Sequence, residues 1–263
     1  NTDYEGEIKS QGDKVHIRTK PTVTINDYSA DQDLNIERPG SSIVDLTIDK
    51  GKYFNTILDD VMDVQSDVNQ MSLWSDDASE QMKIKIDTDV LTNVSTGVSA
   101  VNKGAAAGKI SGNLNLGTSA ASVVLTAANV VNFIISMGLV LDEQNIPEQG
   151  RWVVLPAWVV ALLKQSDLKA VYITGDDTSP LRNGRVGGID RFTLFNSNLL
   201  PIAAGKTTML AGHKHGLTFA SQVTKVETLR SERTFGTILR GLQVYGYKVL
   251  DGTALVSAVV SPS

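Results

Sequence analysis

The first fifty residues place the strongest constraint on what this chain can fold into. Fourteen of the fifty are hydrophobic, 28% against 41% for the whole chain, and sixteen are charged, 32% against 20%. So few apolar side chains cannot build a core of their own. Yet Val15, Ile17 and Thr19, and again Ile43 or Val44, Leu46 and Ile48, alternate as strand residues do. Between them Asn26-Asp27 and Arg38-Pro39-Gly40 carry turn chemistry. The segment reads as a long polar β-hairpin. An isolated two-stranded ribbon is marginal in water, so it needs a surface to lie on, from its own chain or from another copy.

Beyond residue 50 the pattern changes. Phe54, Ile57, Leu58, Val61 and Met62 give a short helical face. Met71, Trp74, Ala78, Met82, Ile86, Val90 and Val94 then recur every three or four residues, which predicts a rod-like helix of about 30 Å. Ser72 or Ser75 would cap it, with Asp76 and Asp77 at the positive end of its dipole. Residues 95–120 hold five glycines among Ala, Ser and Asn, a flexible connection or irregular surface segment where a domain boundary fits. A helix over 126–141, a buried strand over 151–155 and a helix opened by Pro156 as its first residue give α/β character. Turns at Asn183-Gly184 and Gly187-Gly188 precede a strand over 191–195, and short strands follow at 209–210 and 217–220. The β pattern continues over 223–229, 238–249 and 254–260, the last two joined as a hairpin through Asp251-Gly252. The fold class is α+β.

Several chemistries are excluded or unsupported. With 24 Lys plus Arg against 29 Asp plus Glu the formal charge is -5, which argues against a phosphate backbone as the main ligand. The absence of cysteine removes disulfides, thiolate metal clusters and a cysteine nucleophile. Residues 110–141 carry no formal charge, but Asn113, Asn115, Asn129 and Asn132 interrupt the apolar run. Ala127, Val131, Ile134 and Leu141 keep one helical face, so a buried helix is expected and no membrane span. Asp59-Asp60-x-x-Asp63 has the look of a magnesium motif, yet the three acids fall on the polar side of the expected helix. Ala204-Gly205-Lys206-Thr207 imitates the end of a phosphate-binding loop, but Leu200 occupies the position of the required glycine. His213-x-His215, bracketed by Gly212 and Gly216, reads as a pair of exposed loop histidines, and His16 has no evident catalytic partner. No catalytic residue, metal site or cofactor is predicted.

The order of polar hairpin, long helix, central α/β region and terminal β segment resembles the major capsid protein of tailed bacteriophages. The matching stretches are Gly12-Asp13-Lys14-Val15-His16-Ile17, Leu46-Thr47-Ile48-Asp49-Lys50 and residues 57–66. Two more are residues 187–201, ending Leu199-Leu200-Pro201, and residues 227–249, which include Gly241-Leu242-Gln243-Val244-Tyr245-Gly246. That family has the Hong Kong phage type of capsid fold, shared with herpesvirus shells and bacterial encapsulin compartments. The resemblance implies that residues 1–50 are the extended loop lying over a neighbouring subunit. It makes 51–95 with 222–263 the peripheral domain with its spine helix and sheet, and 96–221 the central axial domain. The family's N-terminal arm would be cleaved or absent, since the chain begins at Asn1.

The implied function is an icosahedral shell of hexamers and pentamers around double-stranded DNA, held without sequence-specific binding. It would be assembled in the bacterial host cytoplasm with scaffolding, portal and decoration proteins, and found in the virion. An encapsulin-like compartment is the alternative within the fold; a metal-dependent hydrolase using Asp59, Asp60, Asp63 and His213 is the alternative outside it. The expected subunit contact sets the loop residues Lys14, Arg18, Lys20, Asp27, Asp31, Asp33, Glu37 and Arg38 against Arg230, Glu232, Arg233 and Arg240 of a neighbour's peripheral domain. The acids of the loop would meet the arginines. Trp74, Met82 and Ile86 are expected as the packing face of the spine helix. Some relatives crosslink a loop lysine to a neighbour's asparagine; Lys14 or Lys20 could serve, but with no acidic partner in view no crosslink is expected.

Overall fold

The structure is a computed structural model that describes residues 14–18, 23–27, 36–38, 40, 43–60, 70–166, 185–222, 226–232 and 234–263. The ribbon is present: β1 (Lys14–Arg18) pairs antiparallel with β2 (Ile43–Thr47), from Lys14 opposite Thr47 to Arg18 opposite Ile43. His16 faces Asp45 across the ladder, its Nδ1 2.6 Å from the carboxylate. Strand alternation brings Ile17 and Leu46 to one side, where with Ile48 they are buried against Ala220 and Val244. The base of the ribbon therefore rests on its own chain. Gly246 permits that approach, because a Cβ there would fall on the Thr47 carbonyl.

The surface it rests on is a four-stranded sheet built around β12 (Gly236–Val249). β3 (Lys50–Asp59) runs antiparallel along one side of β12, from Lys50 opposite Tyr245 to Asp59 opposite Gly236. β10 (Leu217–Gln222) and β11 (Val226–Arg230) follow one another along the other side. The helix expected around Phe54 to Leu58 is thus a strand. Phe54 and Leu58 share the face turned toward the spine helix while Ile57 lies on the opposite face. Two partly apolar faces at period two imitated one helical face at i, i+3, i+4. Val61, Met62 and Asp63 lie outside the described residues.

Helix α1 (Gln70–Val94) is the predicted rod, 25 residues and about 37 Å at 1.5 Å per residue. Its predicted stripe is the inward one. Ile86 and Val94 are buried, and Met71, Trp74, Ala78, Met82 and Val90 are partly buried. Ser72 and Ser75 lie inside the helix rather than capping it, since Gln70 is already helical. Asp89 ties the helix to the sheet. It accepts hydrogen bonds from the Tyr245 hydroxyl at 2.9 Å and the Tyr247 hydroxyl at 3.3 Å, with Lys50 Nζ at 3.9 Å. Burial, then the Asp89 carboxylate, push the Tyr245 phenol well above its ordinary pKa.

The second body is a seven-stranded sheet in the order β4 (Val123–Leu125), β13 (Leu255–Pro262), β9 (Lys206–His213), β5 (Arg151–Leu155), β7 (Phe192–Asn196), β6 (Arg185–Ile189), with β8 (Ile202–Ala203) on β9. Helices α2 (Val130–Glu143) and α3 (Ala157–Gln165) supply Ile134, Met137, Leu141 and Val159 to the largest core cluster. α2 starts four residues later than expected because Asn129 turns the chain first, its side-chain oxygen accepting the Thr126 N–H at 2.8 Å. Pro156 is extended at φ -72°, ψ 155° and precedes the first helical residue of α3 instead of being it. Arg151, 1% exposed, bonds Asp142 at 2.7 Å and the carbonyls of Ile146 and Pro147. Gly187 and Gly188 lie within β6; the turn is at Asp190-Arg191, where φ values of 45° and 67° make the mirror-image two-residue hairpin loop.

Asp251-Gly252 does not close a hairpin. The Asp251 carboxylate accepts the Thr253 N–H at 2.8 Å and its hydroxyl at 2.6 Å, and one 3-10 turn carries the chain out of the four-stranded sheet into the other. β13 therefore belongs with the central sheet, so the expected 222–263 segment is divided between the two sheets. The chain crosses between the sheets at 95–99, 213–217 and 249–255, and the crossings touch. Ser99 N–H donates to the Gly252 carbonyl at 3.0 Å and Leu250 N–H to that of Gly216 at 2.9 Å. A Cβ on Gly252 would meet the Gly97 carbonyl. The glycine-rich 95–120 segment is irregular as expected, but it is rooted in the core by Asn102, Ala107 and Leu116, all fully buried.

Candidate subunit-contact surfaces

The ribbon continues past its paired base. Thr24 lies where the β1–β2 register would put it, opposite Glu37, and its N–H and hydroxyl donate to the Glu37 carboxylate at 3.0 and 3.3 Å. Residues 23–27 and 36–38 are all exposed. Large apolar side chains are among them: Ile25 is 90% exposed, Ile36 86% and Val23 57%. Residue 25 lies eight residues beyond the buried Ile17, a reach of up to about 26 Å at 3.3 Å per residue. Of the expected contact residues, Asp27, Glu37 and Arg38 are in this exposed part and Lys14 and Arg18 lie on β1; Lys20, Asp31 and Asp33 lie outside the described residues. Sequence reasoning looked to the charges and passed over Val23, Ile25 and Ile36. Their signal was available as isolated β-formers in a polar segment.

On the four-stranded sheet the arginines have partners in their own chain. Arg230 makes a two-pronged pair with Asp60, Nη1 to Oδ1 at 2.7 Å and Nη2 to Oδ2. Arg240 lies opposite Glu227 in the β11–β12 register and bonds it at 2.8 Å. Glu232 is exposed beside Phe235, which is 82% exposed, and Arg233 lies outside the described residues. The sheet face turned away from α1 carries Leu229, Ile238 and Ile57 in one row across three strands, and Tyr53 opposite Leu242 in another. Tyr53 is 79% exposed. Phe54, Thr56 and Ile57 of β3 with Trp74, Asp77 and Ala78 of α1 line an open groove of about 540 Å³ between strand and helix. Of the spine residues singled out, Ile86 is buried, whereas Trp74 and Met82 are partly covered.

The other candidate chemistries come apart. Asp59 ends β3, Asp60 is engaged by Arg230, and His213 sits at the end of β9 in the other sheet; no group of three metal-ligating side chains occurs among the described residues. His213 is buried, contrary to its expected exposure, because β9 extends to it. Its Nδ1 accepts the His215 N–H at 3.3 Å, which leaves Nε2 to donate to the Gln149 carbonyl at 2.8 Å. That arrangement fits a neutral ring, and burial pushes its pKa below the usual value. Ala204-Gly205 is the turn between β8 and β9, and Lys206 Nζ donates to the carbonyls of Ser119 and Ala120. No helix among the described residues is long and apolar enough to cross a membrane.

A polar ribbon anchored at its base and exposed over residues 23–27 and 36–38, a long helix backed by a small sheet, and a second sheet tied to it at three crossings define a shell-forming subunit of the capsid fold. The pattern of the phage capsid protein family matches residues 44–258. The chain belongs to that family and is a structural, non-enzymatic protein. It is similar in structure to a chain from Mycobacterium phage Che8, with 26% identity, TM-score 0.75, 99% of this chain covered and 88% of that one. A capsid chain of the cyanophage P-SCSP1u shares the fold at 15% identity and TM-score 0.68, covering 97% and 85% of the two chains. The SrpI encapsulin of Synechococcus elongatus shares it at 12% identity and TM-score 0.59, covering 97% and 83%. No curated protein sequence matches the chain.

Proposed function

We propose that this chain is the major capsid protein of a tailed bacteriophage. Hexamers and pentamers of it close into an icosahedral shell around double-stranded DNA, assembled in the host cytoplasm with scaffolding and portal proteins and, in some shells, a decoration protein. The observation that carries the reading is the family match over residues 44–258 combined with a ribbon whose base is buried on its own chain and whose described outer part exposes Val23, Ile25 and Ile36. Repeated heterologous contacts of that kind close into rings and cages. A formal charge of -5 suits a container that encloses DNA without clamping it.

In the same reading, the peripheral and axial domains meet at the three chain crossings, so β13 joins the axial domain and β10 the peripheral one. The charges at Asp27, Asp31, Asp33 and Arg38 then act as a rim around the loop contact. Unchanged assembly and salt sensitivity on Arg233→Glu would remove Arg233 from the contact. An encapsulin-like compartment shares the fold alone and would be distinguished by a DNA-free shell with bound protein cargo. Electron microscopy of the purified chain is the direct test. Closed particles are expected, and a monodisperse monomer at every concentration would refute the reading.

A further inference from the structure

We propose that the ribbon tip of one copy adds as a strand to the open edge of β3 in a neighbouring copy, residues 23–27 running antiparallel to residues 53–57. The inference rests on the shell reading and gives its loop contact a specific mode: backbone hydrogen bonding at a sheet edge, instead of the ion pairs expected from the sequence.

Four observations converge on it. First, among the described residues β3 pairs with β12 alone, so a ten-residue strand has its second side available. The Asp60 N–H donates to the Phe235 carbonyl across the β12 side. In an antiparallel ladder alternate residues point their N–H and C=O groups the same way, so those of Tyr53, Asn55 and Ile57 point to the open side. Long edges of this kind are normally covered, because they template further strands. Second, residues 23–27 are extended in sequence character, exposed throughout and outside any strand pairing. Thr24 N–H is turned inward to Glu37, so the N–H groups of Val23 and Ile25 turn outward by the same alternation.

Third, the two edges match in parity and in side chains. Setting Ile25 opposite Asn55 places Val23 opposite Ile57 and Asp27 opposite Tyr53, all outward-pointing residues. Val23 then extends the aliphatic row Leu229, Ile238 and Ile57 to a fourth strand. Fourth, Arg230 and Arg240 are already engaged by Asp60 and Glu227, so the acids of the tip are not needed to neutralise them. Strand addition of this type draws affinity from main-chain bonds and register from alternate side chains.

The test compares unassembled subunits with assembled shells of the full chain. In the unmodified protein, amide exchange at Tyr53, Asn55 and Ile57 is expected to slow at least tenfold on assembly, while Phe54 and Thr56, already turned to β12, change little. The chain has no cysteine, so the variant carrying Thr24→Cys and Thr56→Cys gives a clean second readout. The register makes these a facing pair outside the hydrogen-bonded positions, close enough to bridge. Mild oxidation of its shells should give a ladder of covalent oligomers, absent when Asn55→Cys replaces Thr56→Cys. Shells that form with neither protection nor ladder overturn strand addition and leave the shell reading standing. Failure of the unmodified chain to form particles under any condition overturns both. If the double variant alone fails to assemble, exchange in the unmodified protein decides.

Discussion

The division of the ribbon into an anchored base and an exposed outer part makes a quantitative prediction. Leu46 is fully buried at the base, among Ile17, Ile48, Ala220 and Val244. Leu46→Ala removes three carbons from that site, about 2.4 kcal/mol of transfer free energy at about 0.8 kcal/mol per methylene. The cavity left behind adds to it, for a total of about 3 kcal/mol. Among the described residues the buried side chains that hold the base down are Ile17, Leu46 and Ile48, so the loss falls on local detachment of the ribbon and not on global unfolding. At 1.4 kcal/mol per decade, the detached population rises roughly hundredfold. Hydrogen exchange of the β1 and β2 amides in the unassembled subunit reads this directly, and the exchange of β9 and β13 should stay unchanged. Ile25→Ala, at a 90% exposed position, should leave subunit stability within about 0.5 kcal/mol of the parent while weakening assembly. If Leu46→Ala left ribbon exchange untouched, or if Ile25→Ala destabilised the isolated subunit as much, the anchored-base argument would fail.

Tyr245→Phe removes the shorter of two phenol bonds to Asp89 and should cost about 1 to 2 kcal/mol in urea unfolding, with Tyr247 keeping part of the site satisfied. Arg151→Met leaves the Ile146 and Pro147 carbonyls without their donor and Asp142 with Arg191 as its remaining arginine. A loss of about 3 kcal/mol is expected by the same measurement. His213 is held below its ordinary pKa by burial, so beneath about pH 6.5 the unfolded chain takes up a proton that the folded chain refuses. Its contribution is therefore complete at neutral pH and is lost as the pH falls from about 6.5 toward the depressed folded value. The urea midpoint of the parent should drop more steeply between pH 7 and 5 than that of His213→Gln; parallel curves would refute the assignment.

Periodicity carried the long helix because α1 buries one stripe over seven turns, and the mean of many weak signals is reliable there. It failed at residues 54–58 because a strand with apolar side chains on both faces satisfies a helical spacing by accident. The Asp251-Gly252 pair has the composition of a hairpin turn, and a local rule cannot see that the two flanking strands belong to different sheets. Asp190-Arg191 was missed for the opposite reason: it makes a two-residue loop without the glycine that usually announces one. At the contact surfaces, which charges are available was illegible. The pairing of Arg240 with Glu227 is set by β11–β12 register, and that of Arg230 with Asp60 by residues 170 positions apart. The exposed apolar tip was legible in composition but is meaningful only once Ile17, Leu46 and Ile48 are seen to be satisfied elsewhere.

The place of β13 has a bearing on the order of events during synthesis. It lies between β4 and β9, bonded to both, so the central sheet stays split in two until residues 255–262 have left the ribosome. A nascent chain can form α1 and the β3–β12 ladder earlier, but it lacks the interior strand that unites the larger sheet. Such late, long-range closure is slow and leaves apolar strand faces exposed meanwhile. It also means that a copy truncated before residue 255 lacks the strand that joins β4 to the rest of the larger sheet.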